Sequence, residues 1–88
     1  MNPMTQRQKL QLAILRSLDQ CDGAPMPEPA LLEAARLLCK PKEPTLDEAK
    51  SALKDLETEL LIRGLNPKLG DTTWTLTDEG KHTAASAR

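Results

Sequence analysis

The sequence predicts a single α+β domain, and three observations carry that prediction. Apolar residues at separations of three and four mark several segments as one-sided helices. The run TWTLT alternates with the period of a half-buried strand, and NPKLGD before it has the composition of a turn, so the two flanking runs form a hairpin. Proline and glycine clusters at DGAPMP and KPKEP separate the helices without any linker long enough to divide the chain.

Composition limits what such a chain can do. With 88 residues and 39% of them apolar, it buries about three fifths to two thirds of its unfolded surface, enough for one modest core. Phe and Tyr are absent and Trp74 is the one aromatic, so packing rests on leucine and alanine. The formal net charge of -1 gives no general attraction to nucleic acid or anionic lipid, although a local basic patch fits within a neutral total. No apolar run approaches the roughly 18 residues needed to span a bilayer. The opening MNPMTQRQK passes into a polar, amphipathic helix and not into a secretory segment, so the expectation is a soluble cytoplasmic protein without membrane partners. Cys21 and Cys39 lack CxxC spacing and accompanying ligands, which reads as two reduced thiols.

Taken in order, residues 1–4 form a flexible tail, 5–85 the domain and 86–88 a frayed end. The first helix starts at Thr5, whose spacing to Gln8 fits a capping box, and its wide arc of Leu10, Leu12, Ile14, Leu15 and Leu18 places it at the centre of the core. Met26 falls in a short strand. The second helix begins at Pro27 to Pro29, where proline is tolerated in the first turn, and runs through ALLEAARLLC. Thr45 and Glu48 make the capping box of the third helix, which buries a stripe of Leu46, Ala49, Ala52, Leu53, Leu56 and Leu60. Its other side carries Asp47, Lys50, Ser51, Lys54, Asp55 and Thr58. Trp74 and Leu76 point to the core from the second hairpin strand, with Thr73, Thr75 and Thr77 opposite. A last short helix begins near Thr77 or Asp78 and is weakened by Gly80.

The runs ALKDLETELLIRG and TWTLTDEGKHTA resemble the third helix, wing and final helix of winged helix-turn-helix domains, especially small MarR-like and PadR-like regulators and small phage proteins. The resemblance implies a three-helix core with a C-terminal β-hairpin and a short final helix. Leu53, Leu56, Leu61 and Ile62 would close the core beneath the recognition helix, with Trp74, Leu76, Thr77 and Gly80 returning from the wing. The family often places glycine just before the leucine that opens the wing, where this chain has Glu59 and Leu60; the connection between the second and third helices is also longer than a compact helix-turn-helix turn.

The resemblance implies a small DNA-binding regulator of transcription that uses the third helix and wing. Lys50, Ser51, Lys54 and Thr58 on the helix and Arg63, Asn66 and Lys68 on the wing are then the candidate contacts to double-stranded DNA, and two-fold association through the first or last helix would add affinity. Residues 45–59 nevertheless set Lys50 and Lys54 against Asp47, Glu48, Asp55, Glu57 and Glu59. That balance favours the alternative, a winged-helix module that binds protein as an adaptor, inhibitor or structural component. Arg7, Lys9 and Arg16, or Lys40 and Lys42, could extend a basic surface. Catalysis has no support: His82 is alone, the serines lack a base, and no phosphate-binding glycine loop or cofactor motif appears.

Overall fold

Thr45 starts its helix as its spacing predicts. In the computed structural model, which describes residues 6–20, 24–39, 44–65, 70 and 72–86, the Thr45 Oγ1 accepts the Glu48 backbone N–H at 3.2 Å. The Glu48 carboxylate in turn accepts the Thr45 N–H at 3.2 Å, so two donors left over by the first turn are satisfied reciprocally. The described elements are α1 (Gln6–Gln20), β1 (Met26–Pro27), α2 (Glu28–Leu38), α3 (Leu46–Thr58), β2 (Ile62–Leu65), β3 (Thr73–Leu76) and α4 (Asp78–Ser86). The Thr5 cap and Cys21 lie outside the described residues, as do Lys40 and Lys42.

The three strands form one antiparallel sheet in the order β1-β3-β2. Pro27 pairs with Thr73 on the edge strand, where a missing N–H leaves no ladder bond unmade. The next residue, Glu28, donates its backbone N–H to the Thr72 carbonyl at 2.8 Å. Pro27 has no side chain able to cap α2, and this bond satisfies a first-turn donor in its place. Pro29 follows inside the first turn, as expected.

α1 is the central element, packing against α2, α3, α4 and β3. Ile14 and Leu18 on it are fully enclosed, together with Leu31 of α2, Leu53 and Leu56 of α3, and Ile62 of β2. Ser17 is the buried polar residue among them, and its hydroxyl donates to the Ala13 carbonyl one turn back at 2.8 Å. Trp74 stands on the core face of β3, opposite Gly64. Its ring covers Gly64, where a Cβ would lie 2.9 Å from Cζ3, and its Nε1 donates to Glu28 at 3.3 Å. Thr73 and Thr75 are half-buried on the opposite face.

Two leucines assigned to the buried stripe of α3 are exposed. Leu46 is 58% accessible because it is the first helical residue and sits at the rim of the apolar arc. Leu60 is 71% accessible because the helix ends before it: Leu60 takes φ 62°, so the helical period no longer places its side chain. The Leu60 N–H bonds to the Glu57 carbonyl and the Leu61 N–H to the Leu56 carbonyl, both at 3.0 Å, which is a Schellman ending with leucine at the position that glycine fills most easily. The left-handed backbone costs an L-residue about 1–2 kcal/mol, while glycine adds about 0.4–1 kcal/mol of unfolded-chain entropy. Leu60→Gly is therefore expected to stabilise the fold by up to about 1 kcal/mol, raising the melting temperature by several degrees in a thermal scan monitored by circular dichroism.

Thr77 joins this turn to α4. Its hydroxyl donates to the Leu60 carbonyl at 2.6 Å and accepts the Gly80 N–H at 3.0 Å, while its own N–H donates to the Leu61 carbonyl at 3.1 Å. The last helix thus begins where the sequence places it, capped by a side chain that also holds the end of α3.

Candidate nucleic-acid interface

The buried residues of α3 are Ala49, Ala52, Leu53 and Leu56. At about 100° per residue, Asp47, Ser51, Lys54 and Thr58 then occupy the middle of the outward face, with Lys50 on one flank and Asp55 on the other. Lys50 and Lys54 are exposed and form no ion pair among the described residues. The Thr58 hydroxyl donates to the Lys54 carbonyl at 2.9 Å, which leaves only an acceptor to offer outward.

Ser51 and Asp55 have a partner from the far side of the sequence. Arg7, on the first turns of α1, places Nη2 3.1 Å from Ser51 Oγ and forms an ion pair with Asp55 Oδ2. Ser51 accepts in that bond, so its hydroxyl proton remains free to donate. The pair is solvent-exposed and contributes at most about 1 kcal/mol to stability. Its larger consequence is electrostatic: it neutralises one of the two aspartates that oppose a basic surface. Asp47 is not compensated in this way, and it shares with Arg7, Leu10, Glu48 and Ser51 a hollow of about 290 Å³ between α1 and α3.

Arg63 is exposed on β2, where it pairs with Thr75 on the face of the sheet turned away from the core. It forms no ion pair among the described residues. Asn66 and Lys68, the remaining wing candidates, lie outside the described residues, as does Asp71. The helical candidates therefore share one face, and Arg63 sits on the adjoining sheet. Of the acidic side chains interleaved with them, Asp47, Glu48, Glu57 and Glu59 are exposed and Asp55 is partly buried.

Trp74 is 7% accessible and belongs to the core, so it offers no stacking surface to a base. Burial raises the Cys39 thiol above its ordinary range, with Lys9 pulling it partly back, which leaves a protonated and poorly nucleophilic sulfur at neutral pH. Among the described residues no cluster of His, Cys, Asp or Glu could hold a metal ion, and no helix is long and apolar enough to cross a membrane. A second groove of about 300 Å³ runs between α2 and the start of α3, lined by Pro29, Leu32, Arg36, Leu46 and Ala49 among others. No family model matches the chain, and no curated protein is detectably similar to it in sequence.

Arg7, which the sequence offers only as a possible extension of a basic surface, is brought to α3 by the tertiary fold. Its contacts to Ser51 and Asp55 span 44 and 48 residues. A separation of that size leaves no periodic trace.

Proposed function

We propose that the chain is a winged helix-turn-helix domain, a non-catalytic cytoplasmic regulator that binds double-stranded DNA through α3 and the β2–β3 hairpin. The observation that carries this reading is the outward face of α3, where Lys50 and Lys54 stand unpaired among the described residues beside a hairpin that follows the helix directly. Supporting it is the order of elements, with a short strand before α2 returning to the free edge of β3. Lys50 and Lys54 meet phosphate, Ser51 donates toward base edges or phosphate, and Arg63 follows the backbone from the hairpin. Because such a unit is small, two copies joined through α1 or α4 would give the affinity that one lacks.

Fluorescence anisotropy with labelled duplex pools tests the proposal, at about 50 mM and about 200 mM salt. The wild-type chain is expected to saturate and to weaken with salt. Lys50→Ala/Lys54→Ala should bind on the order of tenfold to a hundredfold more weakly and show a salt slope lower by about two, one for each lost phosphate contact. Absence of saturable binding at the lower salt, with the protein folded, would reject DNA as the ligand.

A second reading, a module that binds protein, draws on a specific observation as well. Leu37, Leu38 and Leu46 are each more than half exposed, clustered in sequence around the connection between α2 and α3. Together with the acidic excess of α3 they fit a protein partner better than a polyanion.

A further inference from the structure

The contact made by Arg7 reaches beyond the helix that carries the interface. We propose that Arg7 is a phosphate contact of the α3 surface, held in position by Ser51 and Asp55; this rests on the duplex-binding reading above and adds a residue from a different helix to it. Ser51 and Asp55 are one helical turn apart, so a single nitrogen reaches both: Nη2 of Arg7 donates to Ser51 Oγ at 3.1 Å and to Asp55 Oδ2. A guanidinium carries five N–H donors in a rigid plane. Its Nε and Nη1 make no hydrogen bond among the described residues, and the side chain is 58% exposed. The group is thus anchored through Nη2, and the Nη1 and Nε donors are left for single charge-assisted hydrogen bonds to an anion.

The position on α3 gives that opening a target. A helix about 10–12 Å across fills a major groove about 12 Å wide, so its flanks face the two rows of phosphates. Lys50 supplies a cation on one flank. The other flank carries Asp55, a carboxylate that would repel the opposing phosphates if left alone. Glu48, on the same flank, has its carboxylate turned back to the Thr45 backbone. Arg7 cancels the Asp55 charge and keeps Nη1 and Nε without a partner among the described residues, so this flank gains hydrogen-bond donors for phosphate where Asp55 alone would repel it. Asp55 is then a positioning residue whose negative charge is the drawback of its role.

Anisotropy titrations of the 88-residue chain against a labelled duplex pool, over the same range of salt, separate these contributions. Arg7→Ala is expected to weaken binding on the order of tenfold and to lower the salt slope by about one. Arg7→Lys should keep the slope and regain only part of the affinity, because an ammonium cannot hold Ser51, Asp55 and phosphate in one plane. Asp55→Asn retains an oxygen acceptor for Nη2, removes the opposing charge, and should tighten binding several-fold. A purely structural ion pair would move the melting temperature of Arg7→Ala and leave its salt slope unchanged. If the wild type binds and Lys50→Ala/Lys54→Ala weakens it, but Arg7→Ala matches wild type in affinity and slope, the role of Arg7 is overturned and the DNA reading stands. Failure of the folded wild type to bind at about 50 mM salt overturns both.

Discussion

Gly80→Ala is expected to destabilise the protein by about 1–3 kcal/mol, although alanine is the better helix former. A Cβ built on Gly80 would lie 1.9 Å from the Leu61 carbonyl oxygen and 3.0 Å from its carbon, both backbone atoms. That oxygen also accepts the Thr77 N–H, so moving it aside breaks the bond that holds α4 against the start of the hairpin. Overpacking of this kind costs about 1–3 kcal/mol and the lost hydrogen bond about 1 kcal/mol. Against these stands a helix-propensity gain of about 1 kcal/mol. The clash wins because it is with backbone and not with the end of a flexible side chain. Urea denaturation followed by circular dichroism should show the midpoint falling with little change in m. An unchanged midpoint would mean that α4 does not approach Leu61 as closely as described.

The second large effect is expected at Trp74. Truncation to alanine removes the one aromatic of the core, uncovers Gly64, and leaves Glu28 without the indole N–H. Phe or Trp to Ala in a core costs about 3–5 kcal/mol, while a chain of this size has a total stability of roughly 4–13 kcal/mol. Trp74→Ala should therefore remove a large fraction of the total stability and lower the melting temperature by well over ten degrees. Trp74→Phe, which keeps a ring over Gly64 and loses only the indole bond and some area, should retain most of the stability. If instead Trp74→Ala melts like wild type, the indole is a surface group and would become a candidate contact. The two substitutions separate those cases, because a binding role would appear in titrations and not in denaturation.

These two positions also mark how differently the fold and the surface can be read. The alternation of TWTLT is enough to put Trp74 and Leu76 on one side, and the sheet buries that side. Gly80 is legible as a residue that weakens a helix, but not as one required by it. Its necessity comes from Leu61, nineteen residues earlier in sequence, whose carbonyl approaches from another element. The α3 stripe shows the same division at its ends. Ala49, Ala52, Leu53 and Leu56 are buried as their spacing demands, whereas Leu46 and Leu60 are exposed because a helix has ends and its neighbours do not cover them.

For the candidate surface, periodicity by itself places Lys50, Ser51, Lys54 and Thr58 on one side of a helix and determines that this side is polar. The capping box, the proline-started α2 and the short strand at Met26 are likewise set by residues close in sequence, since caps, turns and helical stripes depend on neighbours within about four positions. Which charges meet was decided by tertiary structure. Arg7 reaches Ser51 and Asp55 only because α1 packs against α3, and the strand that carries Arg63 lies against α3 only because β2 follows the turn at Leu60. Side-chain type and local period determine a face; the electrostatics of that face depend on the packing angle and register of elements far apart in the chain, which no local pattern encodes.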